Sequence, residues 1–306
     1  MNHITRRNFL RTVSLGAYSL ANLPLFLSPA NTIAHPDNSL LDLAVVKNGT
    51  PAQMVRKVVE MLGGMSKFVK KGQSVIVKPN IGWDRRPEQA ANTNPEVVVE
   101  IIKMCQEAGA SKVTVFDRSA TVAQRAYKNS GIEVAAEKAG AKVRHVLENR
   151  FKTLPIPQGQ AIKSWEFYKD ILEADVFINV PIAKHHSLCK ATLAMKNLMG
   201  VIGGNRGQLH NGFPEKITDI NTIIKPQLTI LDAVRILTRN GPQGGSLDDV
   251  KTMNTIIAGT NTIAVDAFGA TLFGLKPIEL DFLRSANRRG LGEIDLSKLK
   301  IKEVLI

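Results

Sequence analysis

The sequence predicts an α/β fold, a mostly parallel sheet with helices on both faces. Short apolar runs without polar alternation recur at residues 74–78, 112–116, 175–180, 227–231 and 255–258, as in strands buried on both sides. Between them, apolar residues return at helical spacing. Strands alternating with helices in this way build a parallel sheet covered on both sides.

Residues 41–47 read as the first strand. Pro51 then opens a helix that gathers Met54, Val55, Val58, Val59 and Leu62 on one face and ends at Gly63-Gly64. The strand at 74–78 closes at Pro79-Asn80. Residues 80–94 have no periodicity and carry Trp83, Asp84, Arg85 and Arg86, so this long loop is either a lid or a solvated connection. Asn94-Pro95 starts a helix with proline in its first position, burying Val97, Val98, Ile101, Ile102 and Cys105 before Gly109 stops it. The strand at 112–116 carries Asp117-Arg118-Ser119 at its tip. Two short helices (121–130 and 132–139) and a strand at 142–147 follow. Residues 149–170 take no assignment beyond a core edge covered by Trp165, Phe167 and Tyr168.

The central stretch is 178–200. Pro181 is expected to stop its strand, and a loop to present Lys184, His185 and His186. Ala191, Ala194, Met195 and Leu198 then show helical spacing, with Lys196 and Asn197 off the apolar stripe and Thr192 on the face of Lys196. A Gly-rich loop at 201–210 leads to a helix at 216–224 and a strand at 227–231 that ends in Asp232. A second flexible loop at 241–245 precedes a strand at 255–258 and a helix at 262–273 that carries Asp266 on an apolar face. A helix at 277–289 and a strand at 301–305 close the chain. No repeat or low-complexity linker interrupts residues 35–306, which read as a single α/β domain.

The first 34 residues read as an address. Thr5-Arg6-Arg7-Asn8-Phe9-Leu10-Arg11 is a twin-arginine pattern, followed by an uncharged apolar stretch from 12 to 29. Thr32-Ile33-Ala34 offers cleavage after Ala34, with Ser28-Pro29-Ala30 as a competing site. The expectation is export through the twin-arginine machinery to the periplasm or another extracytoplasmic space, with membrane contact only through an uncleaved signal. This route carries folded proteins, often with a cofactor already inserted.

The formal charge is +13; residues 1–34 hold three arginines and no acid, so the remainder carries +10. A basic balance favours anionic partners. The charges are scattered and aromatic residues make up only 5%, which argues against nucleic acid and leaves small acidic ligands. Two cysteines, Cys105 and Cys189, cannot hold a four-thiolate iron–sulfur cluster or a structural zinc. Cys105 lies in an apolar helical pattern and reads as a buried thiol rather than half of a disulfide.

Lys78 and Asn80, Asp117, Asn179 with Lys184, and Asp232 all fall at or just beyond strand carboxyl ends. In an open parallel sheet those ends share one edge, where ligands bind. Turn chemistry alone accounts for Asn80 and Asp117 but not for lysine at 78 and 184. Asp117, Asp232, Asp266 and His185 are the candidates for a divalent metal, although Asp266 reads equally as a satisfied buried carboxylate. His185, His186 and His210 match no standard zinc spacing. The Gly-rich loop is neither a Walker loop nor a dinucleotide fingerprint. Cys189 has no neighbouring motif that would make it a nucleophile.

Lys78-Pro79-Asn80, Thr93-Asn94-Pro95, Asn179-Val180-Pro181, Lys184 with His186, Thr192, Lys196-Asn197, Gly200, His210 and Gly241-Pro242 together form a recognisable set. It resembles the domain-of-unknown-function family 362, across about residues 41–275. The resemblance implies an α/β protein. Many members carry an added ferredoxin-like module, which two cysteines cannot supply here. The family commonly shows Pro-Lys-x-Lys-x-His where this chain has Pro181-Ile182-Ala183-Lys184-His185-His186, so one lysine is replaced by Ile182 and His185 is extra.

These residues point to an exported enzyme acting on a small anionic substrate, carboxylate or phosphate. Lys78, Lys184 and Lys196 would supply charge-assisted contacts. His186, aided by His210, would transfer protons. Asn80, Asn94, Asn179, Thr192 and Asn197 would bind and position the ligand. The cofactor is left open, with a divalent metal as one option. The same residues also suit a carrier for an anionic ligand or cofactor, or a redox partner holding an organic cofactor.

Overall fold

The computed structural model describes residues 41–306; the twin-arginine segment and its cleavage sites lie outside the described residues. The elements run in order as β1 (Leu43–Lys47), α1 (Pro51–Met61), α2 (Met65–Phe68), β2 (Ser74–Pro79), α3 (Pro95–Glu107), β3 (Lys112–Val115), α4 (Ala123–Asn129), α5 (Ile132–Lys138) and β4 (Lys142–Val143). Then follow β5 (Phe151–Pro155), β6 (Ser164–Tyr168), α6 (Lys169–Glu173), β7 (Val176–Val180), β8 (Ile182–His186), β9 (Lys190–Thr192) and α7 (Ala194–Asn197). The last third holds α8 (Phe213–Ile223), β10 (Leu228–Leu237), β11 (Val250–Gly259), α9 (Thr262–Thr271), α10 (Asp281–Arg288) and β12 (Ile301–Leu305).

The main sheet has the order β12-β1-β11-β10-β7-β2-β3-β4, and β8 also joins β10 to β9. Pairing is parallel except at β1/β11, β10/β11 and β8/β9. The fold is therefore α/β with a mixed, mostly parallel sheet. Side-chain alternation divides the core between its two faces. Leu43, Val45, Ile76, Phe177 and Leu231 pack on the side of α7, α8, α9 and α10. Ala44, Val46, Val75, Val77 and Ile178 pack on the side of α1, α3 and α5.

Local signals explain most element starts. Thr50 and Gln53 form a reciprocal capping box at α1, and the Asn94 side chain accepts from Glu96 N at α3. Helix α8 begins earlier than its periodicity predicts because Gly212 takes a left-handed φ of 73° and Pro214 fits the first turn.

Three differences matter to the site. Pro181 does not end the chain's path through the sheet. It has no N–H to donate, but its carbonyl accepts from Asp232 N at 2.9 Å, and β8 continues on the same neighbour that β7 leaves. Lys184 and His186 thus sit on a strand rather than a loop. The helical spacing at 191–198 yields only one α turn, because Lys190–Thr192 pairs with β8 instead. Asp232 lies inside β10, which runs on to Leu237. Residues 149–170, unassigned from sequence, contain the two-stranded β5/β6 hairpin, and the strand predicted at 142–147 shrinks to β4.

Candidate functional site

The carboxyl ends of β2 and β3 meet β8, β9 and α7 around a cavity of about 620 Å³. Lys78, Asn80, Asp117, Lys184, His186, Thr192, Lys196, Asn197 and His210 all line it. Residues more than a hundred positions apart are gathered by topology, as the strand-end placement predicts.

The inner wall is a continuous polar network. Lys78 Nζ meets Asp117 Oδ1 at 2.8 Å and donates to Asn197 Oδ1 (2.8 Å) and Pro79 O (2.9 Å). Asn80 Nδ2 donates to the same Asn197 oxygen at 3.0 Å, while Asn80 Oδ1 accepts from Lys184 Nζ at 3.0 Å. Asn197 Nδ2 donates to Asn179 Oδ1 at 2.8 Å, and Asn179 Nδ2 donates to Ala194 O at 3.1 Å. Asn179 therefore supports the wall from beneath. The partners orient every amide, each turning its oxygen toward a donor. Ile81 N donates to the other Asp117 oxygen at 2.6 Å. Gly200 closes over this ion pair: a Cβ there would lie 1.7 Å from Asp117 Oδ1 and 2.6 Å from Lys78 Nζ.

The outer wall is built differently. Lys196 Nζ lies 3.0 Å from His210 Nε2, 3.8 Å from Cys189 Sγ, 3.7 Å from Met199 Sδ and 4.3 Å from the centroid of the Phe213 ring. His210 Nδ1 faces Gly207 O at 3.3 Å, so its partners favour the neutral tautomer with the proton on Nδ1. His186 stacks on His210 with ring centroids 5.6 Å apart. Its Nδ1 accepts from Leu188 N at 3.1 Å, which leaves the Nε2 proton as the donor of the neutral ring. Thr192 Oγ1 is buried and, among the described residues, has no hydrogen-bond partner.

Burial and mutual repulsion move the titrations. Burial lowers Lys184 to about 7 against the opposing attraction of Asp117, and Lys196 and Lys78 lower it further. Burial lowers Lys196 to about 8; Cys189 opposes this and Arg206 adds to it. His186 falls to about 3, first through burial and then through the neighbouring Lys196, so its ring is neutral at pH 7. Burial also lowers Lys78, but Asp117 opposes that shift directly.

The predicted metal residues do not converge. Asp232 accepts from Asn94 N (2.7 Å) and Val234 N (3.0 Å), and burial raises it to about 6. Asp266 accepts from Ala194 N (2.6 Å) and Met195 N (2.8 Å) at the start of α7, and burial raises it to about 7. His185 Nδ1 accepts from Gly241 N at 3.1 Å. Each side chain holds backbone in place, and Asp117 pairs with Lys78. Among the described residues no group of three His, Cys, Asp or Glu is placed to hold a metal ion. Asn94 is a helix cap outside the cavity lining. Cys105 is a buried free thiol, and Cys189 is also free.

Two cavity residues escape assignment by sequence. Arg206, from the Gly-rich loop, donates to the carbonyls of Arg118 (2.7 Å), Met199 (3.1 Å) and Ser119 (2.7 Å). Burial lowers its guanidinium to about 10. Arg118 donates to Ile202 O and Gly204 O and reaches Glu148 at 3.2 Å. The one sequence signal that could have found Arg206 is its place inside a glycine-rich loop. Trp83 lines the cavity from the long loop, whereas Arg85 and Arg86 are not among its lining residues.

A family model described as Domain of unknown function (DUF362) matches residues 75–271. A thylakoid-associated protein of Synechocystis sp. is 28% identical over 261 residues, covering 83% of this chain and 79% of that protein. Among solved structures, the lactate racemase apoprotein of Thermoanaerobacterium thermosaccharolyticum aligns with a TM-score of 0.45 and 13% identity, over 74% of this chain and 55% of that one. A Thermotoga maritima protein aligns with a TM-score of 0.41 and 9% identity, over 74% and 60%. The chain thus spans little more than half the length of these two structures.

Proposed function

The chain belongs to the DUF362 family, and from that premise and the cavity's chemistry we propose that it is an enzyme of a small carboxylate or phosphate. Lys78, Lys184 and Arg206 hold the anion, His186 donates to it from Nε2, and the Lys196–His210 pair moves the proton. The observation that carries this reading is an imbalance of charge. Lys78, Lys184 and Lys196 are buried in its wall and Arg206 is half-buried there, while the one carboxylate among its lining residues, Asp117, is taken by Lys78; Arg118 also lines it but pairs with Glu148. Keeping cations buried without counter-charge costs several kcal/mol each, and a bound anion offsets that cost. The unpartnered Thr192 hydroxyl supplies a further donor.

Proton-transfer work falls to groups that titrate near the operating pH. His186, at about 3, is too weak a base and serves as a neutral donor. Lys184 at about 7 and Lys196 at about 8 are better matched. The proposal includes export by the twin-arginine route, checked by N-terminal sequencing of the secreted chain for cleavage after Ala34. No helix among the described residues is long and apolar enough to cross a membrane.

The test is calorimetric titration of the purified protein with acetate, lactate, pyruvate and phosphate, followed by NMR of the ligand in deuterium oxide. Binding with exchange or turnover supports the enzyme. Binding with every ligand returned unchanged favours a carrier. A Lys184→Met/His186→Gln double variant that binds and turns over like wild type removes the assignment.

A further inference from the structure

We infer that Lys196 is a Schiff-base lysine and that the cavity's ligand is a 2-oxo acid, whose carbonyl carbon the Lys196 amine attacks. This deepens the anion-site proposal and rests on it.

The three cavity lysines differ in what surrounds their nitrogens. Lys78 Nζ has three oxygens at 2.8 to 2.9 Å, one of them a carboxylate. Lys184 Nζ donates to two, Asn80 Oδ1 and Ala91 O. Among the described residues, Lys196 Nζ has no oxygen partner. Its neighbours are two sulfurs, an aromatic face and the Nε2 of His210. A nucleophilic amine needs a free lone pair, and a desolvated site beside another cation raises the neutral fraction at pH 7. Thioether and thiol sulfurs are weak acceptors that do little to hold an ammonium. Burial lowers Lys196 to about 8, with Arg206 adding to it; Lys184 falls further, to about 7, but two oxygens engage its nitrogen, so geometry and not titration singles out Lys196.

The surrounding groups suit the remaining steps. Lys196 lines the same cavity as Lys78, Lys184 and Arg206, so its amine shares that space with the cations that would hold a carboxylate. Asp266 accepts the first two N–H groups of the α7 turn, which fixes its position without help from a ligand. As the C–N bond forms, the carbonyl π pair moves onto oxygen, within a wall that offers the His186 Nε2 proton and the Thr192 hydroxyl. His210 Nε2, an acceptor in its neutral tautomer, takes the proton from nitrogen. Both amine hydrogens end on the carbonyl oxygen and leave with it as water when the C=N bond closes. Amine plus oxo acid gives imine plus water, with no oxidant or reductant required.

The test mixes the purified protein with pyruvate and sodium borohydride, then locates modified lysines by peptide mass spectrometry. The expected product is one modified residue, Lys196, heavier by pyruvate less one oxygen atom. Lys196→Met cannot form an imine and strands no carboxylate, so it melts close to wild type and gives no adduct. Lys184→Met weakens pyruvate binding, yet at saturating pyruvate the adduct still forms on Lys196. Pyruvate binding by calorimetry without an adduct overturns the inference and leaves the anion site standing. So does an adduct spread over surface lysines and unchanged in Lys196→Met. Failure of pyruvate, acetate, lactate and phosphate alike to bind overturns both.

Discussion

Lys78 and Lys196 line one cavity and are both buried, yet their surroundings differ. Lys78 is set in a frame of oxygens, with Asp117 as its counter-charge and Gly200 pressed against the pair. Lys196 is set among sulfur, imidazole and an aromatic face. The first lysine is held as a charge by a carboxylate; the second has only weak acceptors around its nitrogen and gives up its proton more readily than a free lysine. Burial alone therefore does not separate structural cations from functional ones. What surrounds the nitrogen does.

The sharpest way to break this contrast is to truncate each lysine in turn. Lys78→Met leaves Asp117 charged and unpaired in the interior, and removing one partner of a buried pair costs about 3–5 kcal/mol. Lys196→Met removes a desolvated amine without stranding a carboxylate, so its stability stays within about 1 kcal/mol of wild type. Urea unfolding of both variants decides the matter: equal losses would erase the distinction. Gly200→Ala probes the same frame from the opposite side. With a Cβ 1.7 Å from Asp117 Oδ1, the ion pair must move, and overpacking of this kind costs about 1–3 kcal/mol.

The outer wall has its own pin. Asp266 anchors the turn that carries Lys196 and Asn197, yet burial raises its carboxyl to about 7. A folded-state value above the ordinary 3.8 means that the native protein binds more protons than the unfolded chain between those two pH values. The group's contribution to stability is full below about 3.8 and is lost as pH rises through 7. Asp266→Asn should cost about 1–2 kcal/mol through the weakened cap. It should also flatten the decline in stability from pH 4 to 7 relative to wild type. Unfolding midpoints across that range measure both effects.

How much of this was legible beforehand depended on whether a residue's partner was local. Continuous apolar runs revealed β2, β3 and β7, and periodicity revealed α1 and α3, because parallel strands and amphipathic helices carry their pattern in every residue. Phe151–Pro155 went unread because its residues are largely exposed and carry little apolar pattern. Pro181 misled because losing a donor does not remove the carbonyl acceptor that Asp232 N uses. Lys78 and Lys184 stood out as lysines at strand ends, where turn chemistry does not place them. Asp232 and Asp266 did not show their roles, since a buried carboxylate that faces backbone N–H groups has the same sequence signature as one that faces a metal. Arg206 stayed hidden for the same reason: its partners are carbonyls of residues brought near only by the fold.

Lys184 stands between the two extremes, with oxygen partners but no carboxylate beside it, and its pH response sharpens the comparison last. Its ammonium titrates at about 7 in the free protein. A bound anion favours the charged form, so binding above that pH takes up a proton and affinity falls as pH rises. The limit for one proton is about tenfold per pH unit. Lys196, at about 8, adds a second proton at higher pH. His186 contributes nothing there because it is already neutral. Lactate is the suitable probe, since a simple carboxylate does not itself titrate between pH 6 and 9. Calorimetric affinities should decline from pH 7 and steepen beyond 8. Lys184→Met should remove the first decline and keep the second. A flat profile in wild type would mean that neither lysine changes charge on binding, and the outer wall would then be no different from the inner one.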